Sequence, residues 1–267
     1  MKIAILGYGK MGKAVEEDAL ANGHEIVLKI DKSNLQDLTI ENLKLADVAI
    51  EFSTPLTVLD NIYLCFDAGV PVVVGTTGWY DNLKLIEADC ECRNTALFYA
   101  SNFSIGVNIF FQVNEILAGI MNDFPEYNAE ITEVHHIHKL DSPSGTAITL
   151  AEGMLAVMNQ KLRWKNILDE REGKVTNEAL GEHKQTGITD PALDQSELII
   201  HSERKDEVKG IHTVRYVSEN DQLVFTHEAF NRKGFAQGAV LAAEWVSNKA
   251  GVYSMRDLLG FITEKKQ

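Results

Sequence analysis

The chain is predicted to be α/β: a doubly wound parallel-sheet domain joined to an α+β domain with a mixed sheet. Two observations carry this. Over the first hundred residues, short apolar runs alternate with helical segments, the pattern of a parallel sheet covered on both faces. After about Phe103 the style changes to a long helical stretch, followed by segments that alternate apolar and polar residues as half-buried strands do. The length, 267 residues, suits two modest domains.

The elements follow in order. "KIAILG" is an apolar run ended by glycine, and "GKMGKAVEEDALANG" carries Met11, Val15 and Ala19 at helical spacing before Asn22-Gly23 stops it. "HEIVLKID" and "DVAIEFS" are the second and third strands. "TPLTVLDNIYLCFDAG" reads as a helix with Pro55 near its start and Gly69 at its end. "VPVVVGTTG" is a fourth strand, "DNLKLIEADCECRN" a helix, and "TALFYASNFS" a fifth strand. The second domain opens with the helix "IGVNIFFQVNEILAGIMNDF", the strand "NAEITEVHHIHKL" and the helix "SGTAITLAEGMLAVMNQ". Residues 161–195 are polar and weakly periodic, and are expected to form a long excursion. "SELIIHSERK", "GIHTVRYVSEN" and "DQLVFTHEAF" are predicted as three antiparallel strands, and the end of the chain as helices that pack back onto the first domain. The expected division is 1–103 with 233–267, and 104–232.

Composition narrows the function. Hydrophobic residues make up 45% and support a packed core, and the formal charge of −14 disfavours polyanionic partners such as nucleic acid or a membrane surface. Cys65, Cys90 and Cys92 form neither a disulfide framework nor a zinc spacing. No apolar run has the length of a bilayer span, and no leader precedes the first strand, so a cytoplasmic location is expected.

"GYGKMG" places Gly7, Gly9 and Gly12 as G-x-G-x-x-G between a strand and a helix, the context that gives this motif meaning. Gly7 permits a tight turn, Gly9 lets backbone N–H groups approach a pyrophosphate, and Gly12 lets helix and strand pack closely. Asp31 stands 19 residues after Gly12, at the end of the second strand, where a carboxylate would hold the adenosine ribose of NAD. Lys32 beside it could meet the 2′-phosphate of NADP instead. This is the Rossmann-type arrangement; the bland alternative is a glycine-rich turn with no ligand. "GTTG" (Gly75–Gly78) and "ASNF" (Ala100–Phe103) end the fourth and fifth strands, where ligands sit in open parallel sheets.

A second constellation is "EITEVHHIHKLDSPSGTA", residues 130–147. In a continuous strand Glu133, His135, Ile137 and Lys139 would share one face, with His135 and Lys139 roughly 13 Å apart at strand rise. A curl after His138 would bring them closer, and Asp141-Ser142-Pro143 makes one plausible. Ser144, Gly145 and Thr146 open a helix whose free N–H groups suit a carboxylate. Lysine donates protons and histidine moves them near neutrality, so the segment describes a pocket for a small di-acid that is protonated as it is reduced. A zinc site at "HHIH" is the competing reading, without partners in metal spacing, so no metal is expected.

This segment resembles the signature E-[IV]-x-E-x-H-x-x-x-K-x-D-x-P-S-G-T-A of the 4-hydroxy-tetrahydrodipicolinate reductase (dihydrodipicolinate reductase) family. The likeness extends over the glycine loop, "GTTG", "ASNFSIGVN" and "NRKGFAQGAVLAAEWV", nearly the whole chain. It implies NADH- or NADPH-dependent reduction of a small cyclic imine di-acid in lysine and diaminopimelate biosynthesis. It also implies His135 as proton donor and acceptor, Lys139 as proton donor, and His136, Gly145 and Thr146 on the substrate carboxylates. Gly7, Tyr8, Gly9, Lys10, Met11, Gly12, Asp31, Lys32, Gly75, Thr76, Thr77, Ala100, Ser101, Asn102 and Phe103 would hold the cofactor. A homotetramer paired through sheets of the second domain is implied as well. The domains are expected to close around substrate, since hydride transfer needs reacting atoms held close. Many family members carry one more residue in the glycine loop and Glu-Arg in place of Asp31-Lys32; both differences bear on the choice of NADH or NADPH. Two rivals stand beside this reading: another NAD(P)-dependent dehydrogenase acting on an amino-acid semialdehyde, and a non-catalytic dinucleotide sensor.

Overall fold

A computed structural model describes residues 1–169 and 196–261. The chain divides into two compact units, Met1–Asn108 with Arg232–Gln267, and Ile109–Asn231.

In the first unit β1 (Lys2–Leu6), β2 (Glu25–Ile30), β3 (Val48–Glu51), β4 (Val72–Val74) and β5 (Ala96–Tyr99) are all parallel. They are interleaved with α1 (Lys10–Ala21), the short α2 (Ile40–Leu43), α3 (Val58–Ala68) and α4 (Leu83–Cys92). Alternation along β1 shows the two-sided packing. Ala4 and Leu6 join Ile62, Cys65 and Phe66 of α3 and Ile86 of α4. Ile3 and Ile5 join Val15 and Ala19 of α1 on the other face. Each Ile, Leu, Val or Phe among them contributes about 1.5–3 kcal/mol when fully buried. Pro55 lies ahead of α3, which begins only after Thr57, whereas Gly69 ends it in the left-handed conformation at φ 69°, as expected for a glycine C-cap.

The second unit contains α5 from residue 109 onward (helix Ile105–Met121), α6 (Gly145–Leu155) and five strands: β6 (Asn128–His135), β7 (Arg163–Asp169), β8 (Glu197–Arg204), β9 (Ile211–Val217) and β10 (Gln222–Glu228). Their order is β10-β9-β6-β8-β7. The sheet is mixed: β6 pairs with β9 antiparallel and with β8 parallel. The three late segments therefore do not form one antiparallel run. β6 inserts between β8 and β9, so of the three late strands only β9 and β10 are paired with each other, antiparallel. The expected excursion at 161–195 is also corrected at its start, where residues 163–169 form β7. Among the described residues this strand pairs on one side only, with β8. An edge strand leaves Lys165 and Leu168 exposed, which is why its polarity masked it. The remainder of that excursion lies outside the described residues.

The chain returns to the first unit through α7 (Lys233–Val246), β11 (Gly251–Tyr253) and α8 (Met255–Leu258). β11 interrupts the predicted helices. It pairs parallel with β5 and completes a six-stranded sheet in the order β11-β5-β4-β3-β1-β2. Three residues are too few for periodicity to reveal.

Candidate active site

The glycine loop is built as its sequence requires. Gly7 sits at φ 95°, and a Cβ there would stand 2.2 Å from the Phe52 carbonyl oxygen. A Cβ on Gly12 would stand 2.6 Å from the Gly7 oxygen, so α1 packs directly onto the loop. A Cβ on Gly9 would meet nothing within 4 Å, so the space before the helix is open. Gly9 caps α1 with no side-chain bond, leaving first-turn N–H groups to face that space. These are the features a pyrophosphate needs, and the loop fits a dinucleotide.

Side chains beside the loop are held by charge. The Tyr8 hydroxyl donates to the Glu16 carboxylate, Lys29 Nζ lies 3.0 Å from Glu16, and the same ammonium stands 5.0 Å from the Tyr8 ring centre. Asp31 follows β2 directly. It accepts from the Ser33 hydroxyl at 2.6 Å and the Ser33 N–H at 2.7 Å, which hold its carboxyl below the usual range. Lys10 and Lys32 are exposed.

A cleft of about 280 Å³ opens at the carboxyl ends of the strands, lined by Met11, Phe52, Gly75, Ser101, Asn102, Phe103, Arg232 and Phe235. A Cβ at Gly75 would collide with the Phe52 ring at 2.0 Å, so glycine there lets that ring form the wall. Thr76 is buried, Thr77 is exposed, and neither lines the cleft, nor does Ala100. Phe52, Arg232 and Phe235 were not among the expected cofactor residues, although Arg232 and Phe235 lie in the "NRKGFAQGAVLAAEWV" stretch of the family likeness. Behind the wall Glu51 is fully buried. Its Oε1 accepts from the Ser53 N–H and hydroxyl and from Asn61, while Oε2 has no hydrogen-bond partner among the described residues. Burial, opposed by those bonds, raises the Glu51 pKa.

In the second unit β6 ends at His135, earlier than the sequence implied. Lys139 N–H donates to the His136 carbonyl, which makes a turn where a continuing strand was one expectation. Arg204 from the end of β8 fixes that turn: Nε donates to the Lys139 carbonyl at 3.3 Å and Nη2 to the Asp141 carbonyl at 2.6 Å. Lys139 Nζ meets both Asp141 oxygens, at 2.7 and 2.9 Å. The chain then enters α6 through Ser144, whose hydroxyl accepts from the Ala147 N–H. Gly145 opens the helix, exposed and with open space where a Cβ would be, and Thr146 follows. His136 is half-buried, its Nδ1 without a partner among the described residues. His138 turns outward to Glu207 at 3.2 Å.

Between these pieces lies a network the motif did not reveal. Glu133 and His135 both point from β6 into the interior. Glu133 accepts from the Ser144 N–H at 3.0 and 3.1 Å and from the Ser202 hydroxyl at 2.8 Å, and Arg204 Nη1 stands 3.5 Å away. His212, from β9, lies opposite Glu133 in the ladder. Burial would raise the Glu133 pKa, but the bonds from Ser144 and Ser202 and the field of His135 outweigh it and hold the carboxyl below its usual range. Burial, reinforced by Lys139 and Arg204, pushes His135 down to about 4 against the pull of Glu133. Burial and the neighbouring His135 push His212 to about 3. At neutral pH the carboxylate is ionised and both rings are neutral. Glu133, His135 and His212 also bring ligand-type atoms within 4.8 Å of one another. That cluster does not use His136 or His138, and the Arg204 guanidinium beside the carboxylate opposes a cation there. Neutral imidazoles around one anion suit proton handling.

Comparisons with known proteins give the family and the fold. Family models described as dihydrodipicolinate reductase, N-terminus, and dihydrodipicolinate reductase, C-terminus, match residues 1–103 and 106–259. A 4-hydroxy-tetrahydrodipicolinate reductase of Christiangramia forsetii is 43% identical over 260 residues, 97% of this chain and 98% of that protein. One from Acinetobacter baylyi is 30% identical, with 97% of this chain and 96% of that protein covered. Among solved structures, a dipicolinate-bound dihydrodipicolinate reductase from Paenisporosarcina sp. TG-14 superposes with a TM-score of 0.72 at 24% identity. That match covers 95% of this chain and 97% of the other, and shows the shared fold.

Proposed function

The chain belongs to the dihydrodipicolinate reductase family, and from that premise we propose how its own residues divide the reaction. It is an NAD(P)H-dependent oxidoreductase that converts 4-hydroxy-tetrahydrodipicolinate, by way of dihydrodipicolinate, to tetrahydrodipicolinate in lysine and diaminopimelate biosynthesis. The nicotinamide, when bound, supplies the hydride.

Gly7 to Gly12 and the first turn of α1 receive the pyrophosphate. Asp31 takes the ribose hydroxyls, with Lys32 available to a 2′-phosphate. Gly75 and Ser101 to Phe103 border the nicotinamide, with Thr76, Thr77 and Ala100 beside them in the same loops. Gly145 and Thr146, with His136, bind the carboxylates of the cyclic imine, since helix N-termini favour anions. Lys139 donates the proton, and His135 holds or relays it. The observation that carries this reading is the turn after His135. There β6 stops, Arg204 holds the Lys139 and Asp141 carbonyls, and the chain enters α6 at Gly145, so histidine, lysine and the anion-binding helix start follow one another around a turn and not along an extended strand.

The same reading includes a homotetramer in the cytoplasm. One face of the mixed sheet packs under α5 and α6, with Ala129, Ile131, Leu198, Ile200, Val214 and Tyr216 in the core. The opposite face carries Thr132, Thr213, Thr226 and the 53% exposed Val224, and in this reading a second sheet pairs there. Cytoplasmic placement is supported by free cysteines, and no described helix is long and apolar enough to cross a membrane.

The test is a coupled assay. Pyruvate and aspartate semialdehyde are condensed by the preceding synthase, and loss of reduced-nicotinamide absorbance is followed with NADH and NADPH in parallel. Turnover with either cofactor is expected, and their ratio reports what Asp31 and Lys32 select. A folded protein that binds a dinucleotide but reduces nothing would instead favour a sensor.

A further inference from the structure

Alternation along β6 sends Ala129, Ile131, Glu133 and His135 to one buried face. The first two are apolar. The last two are not, and a carboxylate with no exposure is tolerated only where hydrogen bonds and charges answer it. The groups facing Glu133 come from four elements. The loop before α6 contributes the Ser144 N–H, β8 contributes Ser202 and Arg204, β9 places His212 Nε2 at 3.8 Å, and β6 itself places His135 Nδ1 at 3.5 Å. Lys139, paired with Asp141, and His136 complete the charged surroundings of His135, and His227 of β10 stands across the ladder from His212.

Two further contacts tie these groups together. His212 Nε2 lies 3.1 Å from Ser144 Oγ, the hydroxyl that caps α6. The His135 and His212 rings meet edge to face with centroids 5.0 Å apart. At the far edge of His135, a Cβ on Gly210 would reach within 3.2 Å of Nε2, so a side chain at that position would crowd the nitrogen.

We infer that Glu133 and His212 are positioning residues: one buried carboxylate, braced by His212, orients the His135 imidazole and anchors the start of α6, fixing proton carrier and carboxylate binder relative to each other. The inference rests on the roles proposed above for His135 and α6. The carboxylate favours the proton on Nδ1, the nitrogen it faces, and leaves Nε2 as the exchanging atom. The 3.5 Å approach is an electrostatic contact of the kind that tightens when substrate is bound. Ser144 contributes to the same coupling twice, through its N–H to Glu133 and its hydroxyl to His212.

The test compares Glu133→Gln, Glu133→Asp, His212→Gln and His135→Gln in the coupled assay, with the His135 ring followed by nitrogen-15 NMR and folding by thermal melting. Glu133→Gln is expected to lower kcat about 10- to 100-fold, as loss of an orienting partner commonly does. KM should change less, and NADH affinity should stay as it was. The His135 titration should move to lower pH, because the field that favours the protonated ring is gone. Glu133→Asp should restore part of kcat, and His212→Gln should lower kcat and displace the His135 titration. A merely structural role would change the melting temperature without moving that titration. A folded Glu133→Gln with normal kcat and an unmoved titration overturns the inference. If Glu133→Gln does not fold, the same two results in His212→Gln overturn it. His135→Gln separates the layers: if it keeps full turnover, the proton-carrier role itself fails, whereas an inactive His135→Gln beside normal Glu133→Gln and His212→Gln rejects positioning alone.

Discussion

The Lys139 ammonium stands on a turn, half-covered and paired with Asp141. Such an ion pair contributes little to folding, about 0–1 kcal/mol. Lys139→Ala should therefore lower kcat by two or more orders of magnitude, the range expected for a lost general acid, while the melting temperature stays within a few degrees. Normal turnover would refute its role as proton donor. Asp31 is exposed at the end of β2 and bonded only within its own turn. Asp31→Ala should chiefly raise the NADH KM; unchanged constants for both NADH and NADPH would remove the ribose assignment. The sequence exposed both residues because each sits at a fixed offset in a motif. His212 had no such marker. It is one histidine in a strand, and only its pairing opposite Glu133 gives it a site.

Among the elements, α6 has the clearest start. Ser144 has extended backbone angles, caps Ala147 with its hydroxyl and also meets His212. Ser144→Ala should cost about 1 kcal/mol from the cap, and thermal melting should show a loss of a few degrees. A melting temperature equal to that of the parent would show the cap to be idle. At the end of β3, Glu51 carries a raised pKa because burial disfavours its charge. Whatever stability it lends is whole below the ordinary carboxylate range and lost as pH rises through the folded value. Glu51→Gln removes that loss, so its melting temperature should gain on the parent as pH increases from 5 to 8, in melts run side by side. A constant difference across that range would contradict the burial argument. These helices and parallel strands were readable because their periodicities run over many residues and end in Gly, Asn or Ser. β7 and β11 were not, one being a polar edge strand and the other three residues long.

At the scale of the molecule, acid stability follows from the two buried histidines. Their folded pKa values, about 4 for His135 and about 3 for His212, lie below the ordinary 6.5. The unfolded chain therefore takes up protons first as pH falls. Stability from this source is whole above about pH 6.5 and is lost progressively toward pH 4 and below. A net charge of −14 works the other way, since acid relieves self-repulsion. The discriminating comparison is thus between the protein and His212→Gln, whose melting temperature should fall less steeply between pH 6.5 and 4. Parallel profiles would show that His212 does not contribute.

The sequence alone determined the class of each half, the dinucleotide loop and the histidine-lysine signature. Those features are local: a glycine must stand where a Cβ would strike Phe52 or the Gly7 carbonyl, and alternation must match a strand's two faces. Tertiary structure decided the partners. β6 could have paired with any of three later segments, and nothing in its own residues specifies β8 on one side and β9 on the other. That choice closes Ser202, Arg204 and His212 around Glu133, and it sets the point at which the strand ends and turns. Hydrogen-bond ladders are sequence-blind along the backbone, so the neighbours they bring together appear only once burial of both faces has selected a single sheet order.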